Sequence, residues 1–523
     1  MNEMSRRALL RSGLAMGTGA LASGLLAAPA LGRAPAGAGA FVRSGRPRIS
    51  HGVQAGDVTA TEATVWARAD QPSRLVVELS RETSFRSPRR IRGPVVTPDT
   101  DLTGRVRLTG LRPGSGLHYR VYPVDLDGRA AGQPESGRLR TAPLRRDDVS
   151  FVWSADIAGQ GWGVNPDLGG FPMADALLEM DPGFFLCSGD TVYADGPVEE
   201  QVLLPDGDTW RNIVTPEKTK VAETLDEFRG QYRYNLLADN WRRFLARTPQ
   251  VNQWDDHEVL NNWYPGETLD DDRYTVRDVD VLAARASRAF HEYVPLAPAR
   301  RDEEGRIYRV VHYGPLLDVF VLDMRTYKDA NSTNRETQAD GGVLGRRQTA
   351  WLQHELRRSR AVWKVISAGL PIGLVVPDGT DFEGVANDDP GAPLGRELDL
   401  AQVLSFLRRE GIRNHVWLTA DVHYAAAHHY SPERAAFTDF DPFWEFVAGP
   451  LNAGGFGPAA LDGTFGPQAV FVEAPPRQNT SPAEGHQFVG EVAIDGDSAE
   501  MTVRLRGIDG SVRWSTTLEP ASR

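Results

Sequence analysis

The chain has 523 residues, 41% of them hydrophobic and 24% charged, with 58 basic and 70 acidic side chains for a formal net charge of −12. That length predicts two or three domains, and the composition is that of a globular protein rather than a disordered or membrane-embedded one. The negative balance argues against a nucleic-acid-binding surface, but not against a phosphorylated substrate, because bound cations invert the local field.

In chain order, residues 1–35 are expected to be a targeting segment. Ser5-Arg6-Arg7-Ala8-Leu9-Leu10-Arg11 is a twin-arginine pattern, a weakly apolar stretch runs from Gly13 to Ala28, and the small residues Ala28 and Ala30 suit cleavage. The alternative, a short transmembrane anchor, needs more bulky apolar residues than this Gly- and Ala-rich stretch contains. The expected partner is the twin-arginine export machinery, and the expected location is periplasmic or extracellular, with no stable membrane span after processing. Residues 36–48 read as a linker. Residues 49–142 read as all β, and Leu108-Thr-Gly-Leu-Arg-Pro-Gly114, closely followed by Tyr119, is similar to the tyrosine corner of fibronectin type III and immunoglobulin-like sandwiches.

From 149 to 518 strand-like and helix-like runs alternate, which predicts a layered α/β unit. Thr224-Leu-Asp-Glu227 is a capping box, predicting one helix to about Arg247. Further helices are expected near Arg346–Arg358 and Leu400–Arg409, and three strands separated by Asp-Gly turns close the chain. The single cysteine, Cys187, excludes an intramolecular disulfide and reads as a small buried hydrophobe.

Four apolar runs stop at side chains of metal-binding type: FVWSAD at Asp156, FFLCSGDTVY at Asp190 and Tyr193, VNQWDDHE at Asp255, Asp256 and His257, and HVWLTADVH at Asp421 and His423. Short apolar runs of this kind read as buried strands, and strand ends are where α/β proteins place their chemistry. A carboxylate such as Asp190 can bridge two cations. Tyr193 is either a ligand, which implies a strongly Lewis-acidic ion such as ferric iron, or a core aromatic. Two adjacent acids and a histidine are costly to bury unless paired or metal-bound; otherwise WDDHE is an exposed charged loop. Asp421 and His423, at i, i+2, would share one side if the strand stays extended. His428 and His429 read as ordinary histidines. Arg325, beyond VFVLD, reads equally as a phosphate clamp or as one half of a structural ion pair. The acidic stretches Thr268–Asp280 and Asp378–Asp389 are expected to shape access to the site.

Taken in order, FVWSAD, GDTVYADG, WDDHEVLNN, VLDMRTY and LTADVH resemble the PhoD-like alkaline phosphatases, calcineurin-like metallophosphoesterases. The resemblance spans nearly the whole mature chain. It implies a four-layered α/β/β/α core behind an N-terminal β-sandwich, and hydrolysis of phosphate mono- or diesters with iron and calcium by in-line attack of a metal-bridging hydroxide. It also implies roles: Asp190 bridging the metals, Tyr193 and His423 on iron, Asp256, Asn261 and Asp421 as candidate ligands of other cations, and His257 and Arg325 facing the phosphate. Either Asp255 or Asp256 could be the direct ligand. Well-known members carry a cysteine after the first strand, where this chain has Asp156, an exchange that makes the site harder. A phospholipase-D-like diesterase is a variant of the same reading, and a non-catalytic surface adhesion protein is the alternative from another class.

Overall fold

The computed structural model describes residues 45–297, 305–338 and 342–521. The expected leader, and the linker up to residue 44, lie outside the described residues.

Seven strands come first: β1 (Ile49–Gly56), β2 (Glu62–Ala69), β3 (Ser73–Ser80), β4 (Arg89–Val96), β5 (Thr103–Thr109), β6 (Gly116–Val124) and β7 (Glu135–Arg140). They form the expected sandwich: one layer is β1-β2-β5, the other is β4-β3-β6-β7. Alternate residues such as Val65, Leu75, Val77, Val106, Val121 and Leu139 point between the layers and bury a common core. The tyrosine corner does not form as expected. The Tyr119 hydroxyl donates to Ala246 O (3.4 Å), far along the chain, rather than to the turn just upstream.

The second unit is built on two larger sheets. Its first strands are β8 (Val149–Ser154), β9 (Phe185–Cys187), the hairpin β10 (Gln201–Leu203) and β11 (Thr209–Arg211), β12 (Gln250–Asn252), β13 (Arg309–His312), β14 (Leu317–Val321) and β15 (Trp363–Ser367). Then follow a short pair, β16 (Pro377–Asp378) and β17 (Asp381–Phe382), and β18 (His415–Thr419), β19 (Ala425–Tyr430), β20 (Phe443–Val447), β21 (Pro467–Glu473), β22 (Phe488–Ile494), β23 (Met501–Gly507) and β24 (Val512–Leu518). The helices are α1 (Met173–Met180), α2 (Leu225–Asn235), α3 (Asp239–Arg247), α4 (Val279–Tyr293), α5 (Gly345–Arg358) and α6 (Glu397–Arg409). The capping box at Thr224 and Glu227 is present, but the single helix expected up to Arg247 is two, α2 and α3, broken at 236–238.

Strand order in one sheet is β24-β23-β22-β8-β9-β12-β1-β2-β5, and in the other β13-β14-β15-β18-β20-β19-β21. Side-chain alternation makes the layers. Phe151, Trp153 and Leu186 face Val319, Val321, Val365, Val416 and Leu418 across the inter-sheet core. Their neighbours Val152, Phe185 and Cys187 face α1 to α4. On the other sheet Phe320, Ile366 and Trp417 face α5 and α6. The result is the α/β/β/α stack, with Cys187 on β9 buried against the helical layer as a small hydrophobe.

The sandwich is stitched into this stack. β1 runs parallel to β12, with Gly56 opposite Gln250, and Asp57 N donates to Gln250 O (2.9 Å). A Cβ on Gly56 would lie 2.6 Å from Pro295 O and 2.8 Å from Gln250 O, so the close approach needs glycine. Trp66 Nε1 donates to Glu292 O (2.7 Å), and the Arg309 guanidinium clasps Asp57 (2.6 Å).

Candidate metal centre

β8, β9 and β12 run parallel, as do β14, β15 and β18. Their C-terminal ends therefore open at one edge, where Asp156, Asp190, Asp255–His257, Arg325 and Asp421–His423 follow directly. The backbone there is turned sharply. Asp156, Asp190, Asn262, Asp421 and His423 all have positive φ, between 49° and 67°. Non-glycine residues bear such conformations when the surrounding structure over-determines them, which is common at functional sites. Asp421 and His423 consequently do not sit on an extended strand as the i, i+2 spacing suggested. β18 ends at Thr419, and left-handed turns send the two side chains to different parts of the site.

Three groups of ligand atoms form, each with its atoms within 4.8 Å of one another: Asp156, Asp190 and His423; Asp190, Asp256 and His257; and Asp255, Asp256 and Asp421. Asp190 belongs to the first two and Asp256 to the last two, so the groups are continuous.

In the first group Asp156 is fully buried, and neither of its oxygens has a hydrogen-bond partner. Burial, with the charges of Asp255 and Asp256 nearby, drives its carboxyl well above the usual range. His423 Nδ1 lies 2.5 Å from Gly454 O, which places the ring proton there and turns the Nε2 lone pair into the site. That Nε2 is 2.9 Å from the Tyr193 hydroxyl and 3.7 Å from Asp156 Oδ1. Burial lowers the His423 pKa to about 4, which favours the neutral, ligating form. Tyr193, 1% exposed, brings its ring centroid to 4.1 Å from that of His257.

In the second group Asp190 Oδ1 accepts the His257 backbone N–H (3.2 Å), and His257 Nδ1 pairs with Asp195 Oδ1 (2.8 Å). Burial opposes charge on His257, but Asp195 and Asp256 outweigh it and raise its pKa to about 9. Asp256 Oδ2 accepts from Asn262 N (2.5 Å), while its Oδ1 has no hydrogen bond.

The third group contains Arg325, which is fully buried and faces no open space. Nε contacts Asp255, Nη1 donates to Glu383 (2.5 Å), and Nη2 reaches Asp421 (2.9 Å) and, more distantly, Asp256 (3.5 Å). Of the two readings of Arg325, this geometry is that of the ion pair. Asn261 is exposed and uses its backbone N–H to bind Asp195 Oδ2 (2.9 Å). His428 pairs with the buried Glu445 (3.2 Å) on β19 and β20, away from this edge, and His429 packs on Trp444.

Several residues here escaped the reading of the sequence. Glu258 ties two loops together, its Oε1 accepting from Thr191 N (2.6 Å) and its Oε2 from Asp255 N (2.7 Å). Asp195 orients His257. Both belong to the GDTVYADG and WDDHE runs, so their signal was at hand. Glu383 had none; it lies in the Asp378–Asp389 stretch, 1% exposed against Arg325 and Lys328 rather than at the surface.

Asp156, Asp190, Asp195, Asp255, Asp256, Glu258 and Glu383 are all buried, with Asp421 nearly so, and against them stand Arg325, Lys328 and His257. Such an excess of desolvated negative charge calls for cations. The two bare oxygens of Asp156 beside a neutral imidazole and a phenol form a donor set suited to a hard or borderline metal ion.

The sequence profile of the family described as PhoD-like phosphatase matches residues 151–505, and that of the PhoD-like phosphatase N-terminal domain matches residues 34–143. Alkaline phosphatase D of Bacillus subtilis (strain 168) is 26% identical over 455 residues, covering 80% of this chain and 73% of that protein. A solved structure of PhoD superposes with a TM-score of 0.68 at 20% identity, covering 91% of both chains. Purple acid phosphatase PPD1 from yellow lupin (Lupinus luteus) seeds does so with a TM-score of 0.55 at 13% identity, over 91% of this chain and 74% of that one. At such identities the structural likeness speaks for the fold alone. With the catalytic profile matched over more than half its length, the chain belongs to the PhoD-like phosphatase family and is a phosphoric ester hydrolase.

Proposed function

We propose that the protein is an exported, metal-dependent phosphatase acting on phosphate monoesters, diesters or both. The observation that carries the metal dependence is Asp156, a carboxylate with no exposure and no hydrogen bond on either oxygen, in the first of three linked ligand groups. In this reading Asp156, Asp190, Tyr193 and His423 would hold an iron ion, with the Tyr193 phenolate selecting for it, and Asp256 and Asp421, which lie together with Asp255, would hold calcium. Bound cations would supply Lewis acidity that acidifies water and neutralises phosphoryl oxygens.

The chain's own residues do the rest. Asp190, shared between groups, fixes the spacing of the centre. His257, its Nδ1 held by Asp195, keeps Nε2 available to give a proton to the leaving-group oxygen. The Tyr193 ring against the His257 ring limits that imidazole to one orientation. Arg325 acts as a fixed counter-charge for Asp255, Asp256 and Asp421, not as a mobile phosphate clamp. The twin-arginine pattern at Ser5–Arg11 supports export in the folded, loaded state.

The test is Asp190→Ala, assayed on p-nitrophenyl phosphate and its bis ester, with metal content and visible absorption measured on both proteins. Hydrolysis should fall ~10³-fold or more, with bound metal lost and secondary structure retained. An Asp190→Ala protein as active as the parent would sink the assignment. A parent without iron would remove the phenolate role of Tyr193.

A further inference from the structure

The charge of this chain is unevenly divided. Residues 45–142 contain sixteen arginines, no lysine and ten acidic residues, a net +6, whereas residues 143–523 carry 37 basic and 59 acidic residues, a net −22. Five of those sixteen arginines lie within residues 81–92, against one acidic residue, Glu82. There a groove of about 470 Å³ is lined by Leu79, Ser80, Arg81, Glu82, Arg86, Ser87, Arg89 and Leu117. Arg81, Arg86 and Arg89 are exposed on its rim, while Leu79 and Leu117 are 6% and 7% exposed at its floor. Arg90 and Arg120 are spent on Glu78 (2.8 and 2.6 Å), and Arg89 gives one donor to Thr109 O (2.7 Å). Arg81 and Arg86 enter no ion pair among the described residues. Three guanidinium groups, two of them uncommitted, thus converge on one concavity at the turn that joins β3 to β4.

We propose that this groove is a docking site for an acidic polysaccharide, a chain bearing both anionic groups and hydroxyls. Guanidinium groups bind sulfate, carboxylate or phosphate oxygens in pairs. Ser80, Ser87 and the carboxylate of Glu82 offer partners for sugar hydroxyls, and Glu82 would repel a chain made of anions alone. Two other polyanions fit less well. A single-stranded nucleic acid is held by exposed aromatic rings that stack its bases, and the aromatic ring beside the groove, Phe85, is half-buried beneath Arg120, 4.6 Å from its centroid. A bilayer needs apolar side chains that insert, and the exposed large apolar residues lie elsewhere, apart from Val95 farther along β4. The strongly negative remainder of the molecule would turn the sandwich toward any such polymer.

The test uses heparin as the probe, because heparin offers the hydrolytic site no phosphate ester to cleave. The whole protein should bind heparin and not uncharged dextran, with affinity falling roughly twentyfold between about 50 and 200 mM salt if three cations are neutralised. The triple variant Arg81→Ser, Arg86→Ser, Arg89→Ser should lose that binding while hydrolysing p-nitrophenyl phosphate at the parent rate. Equal heparin binding by the parent and the triple variant would overturn the proposal, as would no binding at low salt. Inorganic polyphosphate binding as tightly as heparin would refute the polysaccharide class, and so would phosphatidylglycerol vesicles binding where heparin does not. Loss of p-nitrophenyl phosphate hydrolysis by the parent would concern the metal centre and leave this result standing.

Discussion

Asp156 concentrates the chemistry of this molecule in one side chain. It is held at φ 64°, fully buried, with both oxygens bare, and a Cβ on neighbouring Gly449 would come within 2.2 Å of its Oδ2. A carboxylate so placed destabilises the metal-free fold, since burial and like charges oppose its ionisation. Asp156→Asn keeps the left-handed backbone, which asparagine tolerates, and removes the charge. In chelator-treated protein this variant should therefore unfold at a higher temperature than the parent, by about 1–3 kcal/mol of stability, while binding less metal and losing activity. A chelated variant that melts below the chelated parent would show that Asp156 is satisfied by other means. The acids and histidines of the site were legible because they end apolar runs. Their local geometry was not: i, i+2 spacing does not reveal that Asp421 and His423 sit on left-handed turns. Nor does any short pattern announce Glu383, brought to Arg325 by the tertiary fold from 58 residues away.

Among the elements, β12 carries the most consequence for its size. Three residues, Gln250–Asn252, pair with β9 on one side and β1 on the other and lead straight into the Asp255–His257 loop. Gly56→Val should force this seam apart, because its Cβ would meet backbone oxygens that have nowhere to go. A loss of about 1–3 kcal/mol is expected, measured by urea unfolding, and an unchanged midpoint would mean that the seam gives way without cost. Strands such as β8, β14 and β18 were plain in the sequence because both faces of each sheet are covered, leaving continuous apolar runs. The break between α2 and α3 was hidden, since Leu236-Leu237-Ala238 would continue a helix on propensity alone. Tertiary anchors decide it: Asn235 Nδ2 donates to Thr191 O (2.7 Å), and the Asn240 amide is clamped to the backbone of Phe171 (2.9 and 3.1 Å). The Tyr119 corner was misjudged for the same reason, its hydroxyl being drawn to α3.

At the scale of the whole molecule, one sheet passes from the catalytic unit into the sandwich without interruption. Calorimetry of the intact chain should accordingly give one cooperative transition that includes the sandwich; a separate melting of the N-terminal strands would contradict it. The Arg309–Asp57 and Arg233–Asp101 ion pairs, with the Arg229 guanidinium donating to Asp99 O (2.6 Å), brace the same junction. Hydrogen-bonded β-strands bend little along their length, and a parallel pair flanked by such braces is a poor hinge. The sandwich is therefore unsuited to swing over the site as a lid. It works instead as a ruler: a polymer gripped at the arginine groove would meet the catalytic edge at one fixed offset, so that spacing along the polymer, rather than proximity to it, would decide which groups are presented to the centre.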